Sequence, residues 1–313
     1  MMSIQAVRLG RGKEVLFPCL FLFGKAMMSM STKKLMLNGQ TVVDFMKEEM
    51  TAKVAGLKEK GITPCLATIL VGDDPSSETY VRMKGNACAR IGVHSIKVVL
   101  PAETTTEQLI QEITKLNEDV SVHGILLQHP VPHHIDERAA FDAISIEKDV
   151  DGVTTLGFAL NAFGVAAFPS CTPQAIIRIL DFYNVPIEGM HAVVIGRSPI
   201  LGKPVSAMLL NRNATVTTCH SKTVNLEEIV KSGDIVIAAV GKACFVKGSW
   251  IKPGAVVIDA GYNKGNIGDV DFSSCLTPSS AITPVPGGVG PVTIATLIEH
   301  TIKSACMQSE KTS

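Results

Sequence analysis

Two polar side chains one helical turn apart are the first chemistry the sequence offers. Thr79-Tyr80-Val81-Arg82-Met83-Lys84 places Tyr80 and Lys84 at positions i and i+4, so a helix would carry both on one face. A lysine held against apolar walls loses hydration, which favours its neutral form and lowers its pKa. Such an amine can transfer protons near neutral pH, with the phenol holding it in register. A surface helix whose lysine stem lies along apolar neighbours satisfies the same spacing.

Three other strings place polar groups where a ligand could meet them. Gln128, just past an apolar run and before His129-Pro130-Val131-Pro132, offers an amide donor and acceptor on a path stiffened by proline. A polar strand end without a ligand fits the same string. Lys148-Asp149-Val150-Asp151-Gly152 could supply one carboxylate; if extended, Asp149 and Asp151 share a side. A solvated turn is the plain alternative. The stretch Thr283–Thr293 contains three prolines and three glycines and predicts a stiff loop whose backbone N–H groups a planar ligand or a carboxylate could approach. His129, His133 and His134 do not define a metal site, because neighbouring loop histidines need not face one centre and no carboxylate set completes them.

The nucleotide signal is Gly196-Arg197-Ser198-Pro199-Ile200-Leu201-Gly202-Lys203-Pro204 between an apolar strand and a helix. Gly196 allows a tight turn, Ser198 adds a hydroxyl donor, and the helix N-terminus attracts a pyrophosphate. The spacing departs from the usual GxGxxG. An NAD site commonly has an acidic residue at the end of the next strand, yet this chain reads Cys219-His220-Ser221-Lys222-Thr223. Arg197, Ser221 and Lys222 suit the extra phosphate of NADP instead.

The elements that must hold these groups are legible as periodicities. Val43, Met46, Met50, Val54 and Leu57 make one helical face, stopped by Gly61. Cys65–Val71, Ile96–Leu100 and Val120–Gln128 read as strands. Between them lie a helix capped by Ser76 or Ser77 and running to Gly92, and another marked by Leu109, Ile110, Ile113 and Leu116. A second set comprises helix Gln174–Phe182, strand His191–Ile195, helix Pro204–Leu210, strand Thr215–Cys219, helix Leu226–Val230 and strands Ile235–Val240 and Ala255–Asp259. Alternating strands and helices predict parallel sheets in two α/β units joined through 151–175. A cleft between them is the expected ligand site. The apolar stripe Ile294, Leu297, Ile298 and Ile302 on a last helix, Thr293–Ala305, must lie against one unit or the other.

Composition narrows the function further. Among 313 residues, 29 basic and 29 acidic side chains cancel, which removes a general appetite for polyanions. One Trp and three Tyr give little for stacking nucleic-acid bases. The eight cysteines include no CxxC, so free thiols in a reducing compartment are expected. Residues 1–30 hold Arg8, Arg11, Lys13 and Lys25 against Glu14 and surround the apolar run Val15–Phe23. They read as a dispensable extension, with Met27, Met28 or Met30 as the working start, or as a targeting segment. Nothing later reads as a membrane span.

Taken together, Tyr80-Val81-x-x-Lys84, Gly124–Pro132, Asp149–Gly152, Pro169–Pro173, Gly196–Pro204 and Pro284–Thr293 resemble the bifunctional methylenetetrahydrofolate dehydrogenase/methenyltetrahydrofolate cyclohydrolase family from about Leu37 to Ala305. The resemblance implies an α/β, two-domain fold. An N-terminal catalytic, folate-binding domain would span 31–173 and 286–313, with a Rossmann-like NADP-binding domain at 174–285 and the last helix returning to the first domain. It implies that Lys84 is the central catalytic residue, assisted by Tyr80 and Gln128. Asp151 with Gly287, Gly288, Val289, Gly290 and Pro291 would bind folate, and Gly196, Arg197, Ser198 and Ser221 would bind NADP. No metal is implied. The implied activity is oxidation of 5,10-methylenetetrahydrofolate with NADP+, then hydrolysis of the methenyl product to 10-formyltetrahydrofolate, by a cytoplasmic homodimer that binds neither nucleic acid nor membrane. A member with one activity, or a folate- or nucleotide-binding regulator, is the alternative. The chain departs from the family at His129 and Val131, where leucine is common, and at Val153–Phe158, which lacks a His-Pro-x-Asn-like string.

Overall fold

The computed structural model describes residues 34–166 and 168–312; the extension 1–30, with its candidate starts and Cys19, lies outside them. Strand β1 (Leu35–Met36) leads into helix α1 (Gly39–Glu59), whose first turn is capped by the Asn38 side chain accepting from the Gln40 N–H. Val42, Met46, Met50, Val54 and Leu57 are its buried stripe. The stripe thus starts at Val42, not the predicted Val43, which lies partly buried at its edge.

Strand β2 (Cys65–Val71), helix α2 (Pro75–Ile91), strand β3 (His94–Leu100), helix α3 (Thr106–Glu118) and strand β4 (Gly124–Leu127) follow. Their parallel sheet has the order β3-β2-β4. The cap of α2 is Asp74, whose carboxylate accepts from the Ser77 N–H at 2.7 Å, rather than Ser76 or Ser77. Gly92, at φ 87°, ends that helix. Strand β4 is shorter than the apolar run predicted. Val120 is 89% exposed in a turn that Asp119 holds through the Ser121 N–H, so hydropathy there marks no pairing.

Helices α4 (Glu137–Asp142), α5 (Thr155–Ala162) and α6 (Cys171–Phe182) connect to the second sheet. That part comprises β5 (His191–Ile195), α7 (Gly202–Asn211), β6 (Thr215–Cys219), α8 (Leu226–Lys231), β7 (Ile235–Ala238), β8 (Val256–Asp259), α9 (Phe272–Leu276), β9 (Ala281–Ile282) and α10 (Val289–Thr312). The sheet is parallel throughout, in the order β1-β9-β8-β7-β5-β6. Its edge strand β1 comes from the far end of the chain: Leu35 and Met36 pair with Ala281 and Ile282.

The side-chain period of two divides each sheet between cores. Leu66 of β2 and Leu126 of β4 share one core with Ala192, Val194, Ile235, Ile237 and Ile258 of the larger sheet, together with α1, α6 and α10. The alternate residues Ala67, Ile69, Ile125 and Leu127 face a second core with α3 and α4. Val193, Ile195, Val236 and Val257 face a third. Helix α10 packs on α1, α6 and the β2 sheet, so the late apolar stripe returns to the first half. It also carries His300 and Ser304 onto the 147–151 loop. The His300 Nδ1 meets the Val150 carbonyl at 2.8 Å, and the Ser304 hydroxyl donates to the Glu147 carbonyl at 2.8 Å. Burial pushes the His300 imidazole down to about 4, so at neutral pH it is uncharged and its Nδ1–H serves as the donor.

Candidate active site

Three segments far apart in sequence meet at the carboxyl end of the small sheet. Lys84, on the third turn of α2, donates from Nζ to Gln128 Oε1 at 3.0 Å. Gln128 closes β4: its N–H donates to the Ile69 carbonyl, and its side chain donates to the His129 carbonyl at 2.7 Å. That second bond fixes which end of the amide faces the lysine. The third segment is the turn around Asp151, whose shape is set by its neighbours. Asp149 is buried and accepts from the N–H groups of Val153 and Thr154, both at 3.0 Å. Gly152 turns the chain at φ 66° with the Phe168–Ser170 backbone against its Cα. The loop is thus a turn and not an extended strand, and the Asp149 carboxylate is spent on its backbone N–H groups. Lys148 points away as well, donating to the carbonyls of Leu116, Asn117 and Asp119 at the end of α3.

Burial lowers the Lys84 pKa, and the Asp151 carboxylate, with smaller help from Cys171 and Cys88, opposes that fall. Lys84 is half-buried with its amine bonded to Gln128, and not a lysine laid along an open surface helix. Cys171, at the start of α6, is fully buried beside Asp151, and burial drives its thiol well up; its N–H also donates to the Asp151 carbonyl at 3.1 Å. The cavity here is about 100 Å³, and among its walls are Lys84, Gln128, Asp151, Cys171, Thr172 and Ile200. Ile200 belongs to the glycine turn of the other half, so the cavity is bounded by both sheets' loops. Sequence reasoning missed Cys171, Thr172 and Ile200. The first two stood in the Pro169–Pro173 string, but nothing local marked them as neighbours of the amine.

Tyr80 lies on the same helix, half-buried, and its ring meets Tyr262 edge-on with centroids 5.6 Å apart. Burial, with the facing Tyr262 hydroxyl, pushes its phenol up. Gly287, Gly288, Val289, Gly290 and Pro291 are not among the walls of the 100 Å³ cavity. They form the entry to α10, which begins at Val289, four residues before the Thr293 start that the sequence predicted. The Gly287 carbonyl accepts from the Gly39 N–H at 2.8 Å, and no Cβ would fit on Gly39 against Gly288.

In the other half, the turn after β5 is built by contact. A Cβ on Gly196, at φ 132°, would overlap the Ala239 carbonyl, so glycine alone lets β5 and the end of β7 approach. The Ser198 hydroxyl accepts from the Gly202 N–H at 3.4 Å and keeps its own hydrogen for another partner. Arg197 and Ser221 are exposed. Past β6 the His220 N–H donates to the Thr223 hydroxyl at 2.8 Å and the Lys222 N–H to the His220 ring, forming a turn that presents neutral and basic groups. With no carboxylate in Cys219–Thr223 and an exposed arginine on the adjoining turn, the donor set fits a dinucleotide bearing an extra phosphate.

Among the described residues no group of three or more His, Cys, Asp or Glu could hold a metal ion. His129 meets Glu137 and His134 meets the Thr104 carbonyl, in separate directions. The seven described cysteines are free, and no described helix is long and apolar enough to cross a membrane.

Comparison with known proteins agrees with the two-domain α/β fold. Residues 37–151 match the family model for the tetrahydrofolate dehydrogenase/cyclohydrolase catalytic domain, and residues 170–309 match that for the family's NAD(P)-binding domain. The chain is 67% identical over 271 residues to the bifunctional protein FolD of Shouchella clausii, covering 87% of this chain and 97% of that protein. Among solved structures, the bifunctional enzyme FolD of Campylobacter jejuni is 43% identical with a TM-score of 0.85, covering 87% of this chain and 98% of that one. The Trypanosoma brucei dehydrogenase-cyclohydrolase, complexed with NADP cofactor and inhibitor, is 38% identical with a TM-score of 0.85, covering 88% and 98%. The two matching domain models and the near-complete relatives carry one conclusion: the chain belongs to the tetrahydrofolate dehydrogenase/cyclohydrolase family.

Proposed function

We propose that the protein oxidises 5,10-methylenetetrahydrofolate to the 5,10-methenyl form with NADP+ and hydrolyses that product to 10-formyltetrahydrofolate. The observation that carries this reading is the Lys84 amine, partly desolvated, bonded to Gln128 and facing Asp151, in a cavity that Ile200 of the glycine turn also lines. The cavity is smaller than the several hundred Å³ of an ordinary ligand site, so it suits the reacting end of the folate, with the remainder outside in the cleft.

For the oxidation, NADP+ when bound supplies the hydride acceptor, and the chain's task is placement. Gly196, Arg197, Ser198 and Ser221 hold the cofactor on its side of the cleft. Asp151 and the 287–291 entry to α10 hold folate on the other, and Tyr80 orients it over the amine. For the hydrolysis, neutral Lys84 takes a proton from the water that adds to the methenyl carbon and returns it to the departing ring nitrogen as the C–N bond opens, while the added hydroxyl gives up its own proton to solvent and becomes the formyl carbonyl. Gln128 keeps the amine in place through Oε1. We assign 31–173 with 286–313 to the folate-binding domain and 174–285 to the NADP-binding domain, and we place the enzyme in the cytoplasm as a homodimer.

A two-step spectrophotometric assay tests the reading: cofactor reduction with NADP+ and with NAD+, then disappearance of methenyltetrahydrofolate, for wild type and Lys84→Ala. Lys84→Ala is expected to lose hydrolysis by about 10²–10⁴-fold, the usual worth of a general acid–base, while a measurable part of hydride transfer survives. Equal loss of both activities at unchanged folate affinity overturns this division of labour.

A further inference from the structure

The turn that carries Asp151 is held from outside at three successive carbonyls. The His300 Nδ1–H donates to the Val150 carbonyl at 2.8 Å, and the Cys171 thiol reaches the same oxygen at 3.2 Å. The Cys171 N–H donates to the Asp151 carbonyl at 3.1 Å, and the Ser170 hydroxyl to the Gly152 carbonyl at 2.7 Å. A peptide unit is planar, so a donor that fixes the Val150 carbonyl also fixes the N and Cα of Asp151. Cys171 fixes the next plane, and the two planes together set where the Asp151 side chain leaves the backbone. His300 alone among these donors comes from α10, 150 positions away from Val150. It is 4% exposed, on a helix whose Leu297, Ile298 and Ile302 are buried apolar neighbours. A polar ring in such a stripe is unfavourable unless its N–H is matched, and the carbonyl before Asp151 matches it. Phe168 lies against the ring with centroids 5.6 Å apart, and the Cys171 sulfur stands 3.7 Å from Nδ1. The same helix begins at Val289, so His300 lies roughly 16 Å along it from the 287–291 entry.

Resting on the folate reading above, we propose that His300 is a positioning residue for the reaction: from α10 it orients the Val150–Asp151 peptide so that the Asp151 carboxylate is aimed at the folate beside Lys84. Because α10 also starts in the glycine–proline entry, one rigid rod sets the spacing of the two segments that hold folate. Without the imidazole donor, the Val150 carbonyl keeps only the thiol, a weak donor. The turn must then be ordered by the substrate at the moment of binding, and that ordering weakens affinity. Loss of one net hydrogen bond corresponds to roughly a three- to tenfold change in affinity. Ground state and transition state lose this equally, so the loss falls on KM and not on kcat.

Steady-state dehydrogenase kinetics of the full chain, run below the melting temperature of every variant, test this with wild type, His300→Leu, His300→Asn, Asp151→Asn and the Asp151→Asn/His300→Leu double variant. Leucine fills the space of the ring without a donor, whereas asparagine carries an amide nitrogen on Cγ, where Nδ1 stands. The expected result is a KM for methylenetetrahydrofolate raised about three- to tenfold in His300→Leu, with kcat and the KM for NADP+ within about twofold. His300→Asn stays within about twofold of wild type, and His300→Leu adds nothing in the Asp151→Asn background. If leucine prevents folding, His300→Ala takes its place under the same criteria. The proposal is overturned by an unchanged or lowered folate KM in the variant without a donor, by a loss confined to kcat, by a His300→Asn loss as large as that of leucine, or by multiplying effects in the double variant. Failure of the wild type to turn over methylenetetrahydrofolate with NADP+, or an unchanged folate KM in Asp151→Asn, overturns the folate reading, and this proposal with it.

Discussion

Gly196→Ala separates the two halves of the chemistry. The new methyl carbon would overlap the Ala239 carbonyl oxygen and stand 2.9 Å from its carbon and 3.2 Å from its Cβ. Neither side can step back freely, since Ala239 N–H is bonded to the Ile195 carbonyl at 2.8 Å and Gly196 N–H to the Cys219 carbonyl at 2.9 Å. Relief requires the ends of β5 and β7 to part, at the expense of about one backbone bond, ~1 kcal/mol. A φ of 132° in a residue with a side chain adds ~1–3 kcal/mol, and overpacking a further ~1–3 kcal/mol. The sum, ~3–7 kcal/mol, is a large part of an ordinary domain's stability. It corresponds to a melting temperature lower by roughly 6–28 °C at 2–4 °C per kcal/mol. The same displacement moves the turn carrying Arg197 and Ser198. Below the lowered melting temperature, the KM for NADP+ is therefore expected to rise at least about tenfold. Hydrolysis of methenyltetrahydrofolate supplied directly, which depends on Lys84 and meets the turn only at the Ile200 wall of the cavity, falls less than the dehydrogenase, by about threefold at most. Calorimetry and the two separate assays check this. An unchanged melting temperature, or equal loss of both activities in the folded variant, refutes the reasoning.

Asp151→Asn removes the charge that opposes the burial of Lys84. Hydrolysis needs the neutral amine, so its rate rises as pH climbs through the lysine pKa; with burial unopposed that pKa falls further, and the rising limb of kcat against pH moves to lower pH. A limb that stays or moves upward contradicts the arrangement. Gly56→Ala tests a position without a site: Gly56 is inside α1 with nothing within 4 Å of a new Cβ. The variant is expected to gain ~0.5–1 kcal/mol in denaturant unfolding with both activities unchanged, and a loss of stability would show that the space is not free.

Much of the architecture was legible because it is written in local periods. β2, β5 and β6 have the bounds their apolar or β-branched runs predict, and Gly92 and Gly196 mark turns that a side chain would strain. Errors fell where hydropathy is ambiguous. Val120 is apolar but exposed, and the cap of α2 went to Asp74, whose carboxylate is the stronger acceptor for the first-turn N–H. The two-residue edge strand β1 exists only because Leu35–Met36 finds Ala281–Ile282 of β9 across the length of the chain. No window of sequence contains that pairing.

The site divides along the same line. Residue types and spacing determined that Tyr80 and Lys84 share a helix face, that Gln128 ends a strand and that the Gly196–Gly202 turn opens a helix, because backbone geometry settles each of these within a few residues. The tertiary fold alone decided that Lys84 meets Gln128 and Asp151 with Ile200 close by, that Asp149 is spent on backbone N–H groups, and that Tyr262 touches Tyr80. Those meetings depend on how parallel crossovers and α10 bring strand ends together, and the lysine's lowered pKa follows from the burial they produce. Desolvation is a property of the assembled neighbourhood, and no residue carries it in its own sequence.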